Sequence, residues 1–482
     1  MKTVPKIQLE KLARIFAINI KLLSVFRISL GLLALYDFID MLSMYGLMFG
    51  SRNLITIPLA VQSWQPGQVF ASEAIAFLSP EMDSFFQHLC LLGLLLGGVL
   101  LIFKPGRKIG NFVLIWSYFW ILWRWPYYVH HGDYLILWCL IWLCFLPAEV
   151  FYLGRNLKLI RTSGSPVKEY YFGLGSIAFY LQILMFFTLA GLNKWGPSWV
   201  DGRAAGLALS NLNMVSPLGV VLSLNPQQSF FFSYSTLLVE RVGPLLLLFP
   251  WRKFIFKKVA LVSLALFLFG ICLIFRTGTM APAGLLILLP AIAFVEKQDE
   301  IEFEKGKISF KTGMLFAILL MAILSYIANY TKIPIQYRKP LMQISIDHRI
   351  PLRQPWSMYG PFVPPFVTNI RFFKQNVGSE EKVYINFFTL EPMSEDDFFR
   401  RSSWYENNIR YRRYQKLFEY IYLYRNPNSF TIVENLARSL CQRLQDPNLQ
   451  IGFELGVKTY FPHETNSSRP FLSPPISCHD KM

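Results

Sequence analysis

Charge is what this 482-residue sequence has least of: 16% of its residues are charged, where a soluble domain averages about 25%. The shortfall excludes an ordinary water-soluble globule. It suits a lipid-facing surface, because a charge at mid-bilayer costs roughly 2.5–3.5 kcal/mol even on lenient insertion scales. Cysteine is also scarce, at six residues, too few for a disulfide framework. Cys90, Cys139, Cys144 and Cys272 lie within apolar runs and are expected to be inert core thiols. Cys441 and Cys478 lie in the tail, where they can pair if the tail is outside the cytoplasm. Walker, GxGxxG, HExxH, CxxC and GxSxG patterns are all missing, which removes the cheapest support for nucleotide hydrolysis and zinc proteolysis. There is no internal repeat and no coiled-coil heptad. A cleavable signal peptide is not expected either, since the first apolar stretch contains Arg27 and Asp37 and no small-residue cleavage site follows.

What the sequence has in abundance is apolar and aromatic residues: 53% hydrophobic, with 43 Phe and 12 Trp. Apolar runs read with a window near 19 residues give nine candidate spans, at about 23–47, 85–103, 109–128, 133–153, 172–192, 229–250, 258–275, 279–296 and 313–329. The net charge of +17 falls in short clusters between these runs, so the positive-inside rule accounts for it and nucleic acid is not an expected partner. The N-terminus and alternate loops carry 20 basic residues, from Lys2 to Lys311, against 4 (Arg52, Lys194, Arg203 and Arg276) on the other set. That asymmetry puts the N-terminus in the cytoplasm and, after nine crossings, residues 330–482 outside it. The expected fold is an all-α polytopic membrane protein: a cytoplasmic segment 1–22, a transmembrane domain 23–329 and a small extracytoplasmic region of mainly helices and loops. In that region, 331–375 reads as a Pro- and Arg-rich extended connector. A helix is expected from about Ser394 towards Tyr424, a second over about 430–445, and a loop at the Pro-containing end.

Polar groups inside spans are functional-site candidates by default. Arg27 and Asp37 sit ten apart on the first span, about 15 Å along a helix, too far to pair directly. Glu240 and Arg241 on the sixth span suggest a buried ion pair or a snorkelling helix end. The turn Trp125-Pro126-Tyr127-Tyr128-Val129-His130-His131-Gly132-Asp133 offers two adjacent histidines, which is not metal-ligand spacing. One of these beside Asp133 suits proton handling instead. Gln182 and the stretch Ala190-Gly191-Leu192-Asn193-Lys194-Trp195-Gly196-Pro197-Ser198-Trp199-Val200-Asp201-Gly202 close the fifth span. Lys194 there is either a snorkelling interfacial lysine or a desolvated amine whose depressed pKa makes it a base.

These residues resemble the horizontally transferred transmembrane family, the membrane part of vitamin K-dependent gamma-glutamyl carboxylases and their bacterial relatives. Arg27, Gly31 and Asp37 match the spacing of the family's opening helix. Gly132-Asp133 followed by Phe145-Leu146-Pro147 resembles its Gly-Asp and Phe-Leu-Pro signature. Ala190-Gly191-x-x-Lys194, four residues, then Trp199-Val200-Asp201-Gly202 resembles the carboxylase segment that carries the base. The resemblance covers roughly residues 15–295. It implies Lys194 as the base that deprotonates a reduced quinone, with His131 and Asp133 in support and Gln182, Trp195 and Trp199 around the cofactor. In the carboxylases, oxygen then generates a stronger base, a glutamate gamma proton is removed and carbon dioxide adds. Where carboxylases carry a histidine in the seventh helix, this chain reads Phe269 to Gly278 without one, and the tail matches no propeptide-binding region. Two functions follow as expectations. One is a quinol-linked modifying enzyme acting on the extracytoplasmic side. The other is a non-catalytic membrane factor for maturation, export or immunity of a secreted peptide client.

Overall fold

A helix that faces lipid inverts the pattern of a soluble one, with large apolar side chains outside and small or polar ones against its neighbours. The computed structural model of the chain has this pattern repeatedly. It describes residues 6–43, 45, 79–103, 106–124, 131–147, 150–153, 158–161, 168–210, 215–222, 224–249, 251–275, 277–295, 301–303, 310–328, 330, 332–334, 336–337, 366–379, 381–385, 390–392, 427–459 and 476–478. The first half runs α1 (Lys6–Phe16), β1 (Ile18–Asn19), α2 (Ile20–Ser43), α3 (Pro80–Ile102), α4 (Arg107–Arg124), α5 (His131–Leu143), β2 (Val150–Leu153), β3 (Lys158–Arg161), β4 (Tyr170–Phe172) and α6 (Leu174–Asn193). Three short helices follow, α7 (Pro197–Val200), α8 (Ala204–Ser210) and α9 (Pro217–Val221). Then come α10 (Pro226–Leu246), α11 (Trp251–Ile274), α12 (Met280–Leu288), β5 (Ile301–Phe303) and α13 (Phe310–Ala328). The tail holds β6 (Phe366–Asn376), β7 (Val383–Ile385), α14 (Pro427–Leu444), β8 (Leu449–Thr459) and β9 (Ile476–Ser477).

Each of the nine expected spans overlaps a helix, and four of these are long and apolar enough to cross a membrane: Ile20–Leu42, Glu81–Ile102, Leu174–Asn193 and Phe254–Ile274. On α11 the exposed apolar residues Ile255, Val259, Val262, Leu266, Phe269 and Leu273 recur every three or four positions, with Lys258 exposed beside them in the first third of the helix. On α3 the same spacing exposes Met82, Phe85, Leu89, Leu92 and Leu96. Of the four, Leu174–Asn193 has the largest buried share, 72%, so α6 is the central helix. Two expected spans come out short. α5 has 13 residues and α12 has nine, about 20 and 14 Å of helix against a hydrocarbon core near 30 Å.

Close helix approach is set by glycine. A Cβ on Gly31 of α2 would lie 2.8 Å from the Gly98 carbonyl oxygen of α3, and one on Gly110 of α4 would lie 2.7 Å from the Leu101 nitrogen of α3. Any larger residue would drive these backbones apart.

The chain is not all-α. β1 pairs antiparallel with β4 (Ile18 opposite Tyr171), and β4 pairs parallel with β5 (Tyr170 opposite Ile301). Three connections widely separated in sequence therefore meet at one end of the bundle. The tail also departs from the expected helices and loops. β6 and β8 pair antiparallel along all eleven residues, from Phe366 opposite Thr459 to Asn376 opposite Leu449, in a sheet of order β7-β6-β8-β9. β6 starts inside the stretch read as an extended connector, and β9 lies in the expected terminal loop. The second expected tail helix is present as α14, whose Leu436, Ala437, Leu440 and Cys441 are buried. The first, from about Ser394 towards Tyr424, falls outside the described residues. Cys441 of α14 and Cys478 after β9 form a disulfide. Of the four cysteines expected in the core, Cys90 and Cys139 are buried, Cys272 is half-buried and Cys144 is exposed.

Candidate functional site

The site is built where α6 ends against the buried face of α10. On α10, Ser229, Ser233, Leu237, Glu240, Gly243 and Pro244 are buried, and their spacing draws a single stripe down the helix. Glu240 is the one ionisable residue on that stripe. Gly191 lets the two helices meet, since a Cβ there would lie 2.9 Å from both the Glu240 Cβ and the Arg241 Cγ. One turn later Lys194 caps α6.

Its Nζ donates to the Glu240 Oε2 at 2.5 Å, with both side chains only 2% exposed, and to the Ala190 carbonyl at 3.3 Å. The Trp199 ring lies under the ammonium, 5.3 Å from Nζ to the ring centroid. Arg241 turns aside from Glu240, as neighbours on a helix must. Its Nε donates to the Gly191 carbonyl at 2.9 Å and its Nη2 to the Lys194 carbonyl at 2.8 Å. A cation thus closes the negative C-terminal end of α6. The expected Glu240–Arg241 pairing is corrected accordingly: Glu240 pairs with Lys194, and Arg241 holds the backbone that carries Lys194.

The depth of Lys194 follows from its partner. Glu240 and Phe267 border the same small cavity, and Phe267 lies seven residues, about 10 Å, before the end of α11. The amine therefore sits well inside the bundle. The layer beyond it is filled by the glycine turn at Gly202 and α8: Ser229 and Ser233 both donate to the Gly202 carbonyl at 3.0 Å. Gly202 has φ +71° and faces the Phe230 ring, a position closed to other residues.

The cavity beside the pair is bordered by Glu240 and by Phe186, Phe187, Ala190, Phe267, Leu268, Ile271 and Met280, and measures about 10 Å³. That is room for about one water molecule.

The remaining sequence candidates lie elsewhere. Asp133 is fully buried in the first turn of α5, and His131 is half-buried at its start. A Cβ on Gly132 would collide with Thr279 and the Met280 nitrogen, so the starts of α5 and α12 abut. Met280, which walls the cavity, stands between this turn and Glu240. His130 falls outside the described residues. Gln182 lies twelve residues, about 18 Å, before Lys194 on α6 and accepts from the Trp142 indole at 3.2 Å. Trp195 is half-buried after the helix end. Asp37 accepts from the Tyr118 hydroxyl at 2.6 Å, and Arg27 donates to the Pro147 carbonyl at 2.5 Å. Among the described residues, no group of three or more His, Cys, Asp and Glu could hold a metal ion.

Two buried polar sites escaped sequence reading. Arg124 grips Asp83 with two 2.8 Å bonds, from Nε to Oδ1 and from Nη2 to Oδ2, and Gln87 donates to the same carboxylate at 2.7 Å. Lys257, one of the 20 basic residues assigned to the N-terminus and alternate loops, is fully buried. It donates to the Ala293 carbonyl at 2.8 Å and the Ile15 carbonyl at 3.3 Å, tying α1 to the segment after α12.

No family model, no curated protein and no solved structure matches this chain.

Proposed function

We propose that the chain is a multi-pass membrane protein with a cytoplasmic N-terminus and an extracytoplasmic tail. In this reading Lys194 is the base of a modifying reaction at the extracytoplasmic end, as the resemblance to the carboxylase membrane domain implies, and Glu240 is its proton-exchanging partner. Three observations support the topology. β1, β4 and β5 share one sheet, so the chain must return to the same end after α2 to α5 and again after α6 and α10 to α12. An even number of passages does this each time. α13 then carries the chain to the other end, where the Cys441–Cys478 disulfide belongs to an oxidising compartment. The loop charges agree in sign with both.

The observation that carries the chemistry is the Lys194–Glu240 pair itself, at 2.5 Å and out of water. A pair with one shared proton has the same net charge whichever partner holds it. To act as a base the pair must start as a neutral amine beside the carboxylate: uptake of one proton then turns a buried net charge of −1 into zero, whereas a further proton would leave an uncompensated +1. Arg241 fixes the backbone at Lys194, and Trp199 shields the amine from solvent. A reduced quinone does not fit beside the pair: the cavity holds about one water, and its wall is phenyl and aliphatic apart from Glu240.

The same small cavity favours a second reading, in which the pair only staples α6 to α10 and the protein is a non-catalytic factor for a secreted peptide. Lys194→Ala in a host lacking the endogenous protein separates the two. On the enzymatic reading the phenotype is lost even when expression is adjusted to give wild-type membrane abundance. Full complementation by the alanine variant refutes it. Mass spectrometry of the purified protein then tests for a bound small molecule against a peptide client.

A further inference from the structure

At the opposite end of the bundle from Lys194, two arginines are buried at the same level. Arg27 is 2% exposed and Arg107 is 7% exposed. The level follows from glycine contacts: Gly31 of α2 abuts Ile102, and Gly110 of α4 abuts the Leu101 nitrogen. Arg27 precedes Gly31 by four residues and Arg107 precedes Gly110 by three, on helices that run in the same direction. Both side chains therefore start about one turn below the end of α3, on helices that the Tyr118–Asp37 hydrogen bond packs against each other.

A guanidinium has five N–H donors. The Arg27 bond to the Pro147 carbonyl engages Nη2, whereas Nη1 is buried with no hydrogen-bond partner. Among the described residues no carboxylate pairs with Arg27, and Asp37, on the same helix, is about 15 Å further along. Asn111, one turn beyond Arg107, donates to the Leu140 carbonyl at 3.0 Å and the Cys144 sulfur at 3.2 Å. That fixes α4 against the end of α5 and the turn that presents Pro147.

A buried guanidinium with an unpartnered Nη1 beside a second guanidinium is costly unless an anion joins them. We propose that Arg27 and Arg107 form a binding site for a phosphate-bearing anion, entered from the end of the bundle that holds the N-terminus. The planar fork suits two phosphate oxygens at once. Such an anion comes either from the headgroup of an anionic phospholipid in the adjoining leaflet or from free phosphate. The Asn111 Oδ1, also without a partner, is an acceptor and suits a hydroxyl of the same group.

Full-length protein in nanodiscs tests this. Discs of phosphatidylcholine alone are compared with discs containing phosphatidylglycerol, and lipid retained on the protein is counted by native mass spectrometry. In the phosphatidylcholine discs, inorganic phosphate is titrated against thermal unfolding. The expected result is either selective retention of phosphatidylglycerol, which assigns the lipid source, or saturable stabilisation by phosphate, which assigns the free anion. Arg27→Gln then weakens the responding arm about tenfold or more. Arg27→Lys, which keeps the charge and loses the fork, lies between. Wild-type protein that prefers neither anion overturns the proposal whether or not any variant folds. Equal binding by folded wild type and Arg27→Gln overturns it too.

Discussion

Glu240→Gln removes the carboxylate and leaves the Lys194 ammonium against the Ala190 carbonyl and the Trp199 ring. At the observed 2.5 Å the gross attraction between unit charges is about 7 kcal/mol for an effective dielectric near 20. Desolvation of both groups offsets most of this, so the pair contributes little net stability. Removing one partner is different, because an uncompensated buried charge remains, at a cost of about 3–5 kcal/mol. Replacing both, as Lys194→Met with Glu240→Leu, substitutes apolar groups of similar volume and is expected to fall within about 1 kcal/mol of wild type. The assay is reversible unfolding in mixed micelles, run as a double-mutant cycle. The expected pattern is two damaging single variants and a nearly neutral double, with a coupling of about 5 kcal/mol or more. Single variants within about 0.5 kcal/mol of wild type would mean the pair is solvated and the burial argument is wrong.

Gly191→Leu is expected to cost about 1–3 kcal/mol and to part Lys194 from Glu240, because its Cβ would meet Glu240 and Arg241 at 2.9 Å; unfolding and functional complementation should both fall. Asp83→Asn should destabilise the α3–α4 hairpin by about 3–5 kcal/mol, since Arg124 is fully buried against it; a melt indistinguishable from wild type would contradict this. Replacing Cys441 and Cys478 by Ser should lower the stability of the tail by about 4 kcal/mol for a separation of 37 residues. Limited proteolysis with and without reductant reads that loss, and reductant should have no effect on the double variant.

The positions of the helices were legible because apolar runs of span length leave few alternatives. Lys194 and Arg27 were legible as charged residues at or within such runs. The pairing of Lys194 with Glu240 was not, because 46 residues and three short helices separate them and no hairpin register connects α6 to α10. Reading Glu240 with Arg241 ignored that adjacent helical residues point apart. For Asp83 and Arg124 a signal did exist. α3 and α4 form a tight antiparallel hairpin, in which Gly93 meets Ser117, and the same register brings Asp83 opposite Arg124. β8 was also readable, since Leu449, Ile451, Phe453, Leu455 and Val457 alternate with Gln450, Gly452, Glu454, Gly456 and Lys458. The proline-rich surroundings drew the reading towards loop instead. Lys257 was misread because a charge count cannot tell a loop lysine from one turned inward onto backbone carbonyls.

The most direct test of the central claim is Lys194→Arg, assayed for complementation at matched membrane abundance. Arginine keeps a positive charge opposite Glu240 but does not release its proton near neutrality. The account predicts a folded, membrane-inserted protein with no function. Wild-type function in the arginine variant would contradict it and leave the pair as a staple between α6 and α10.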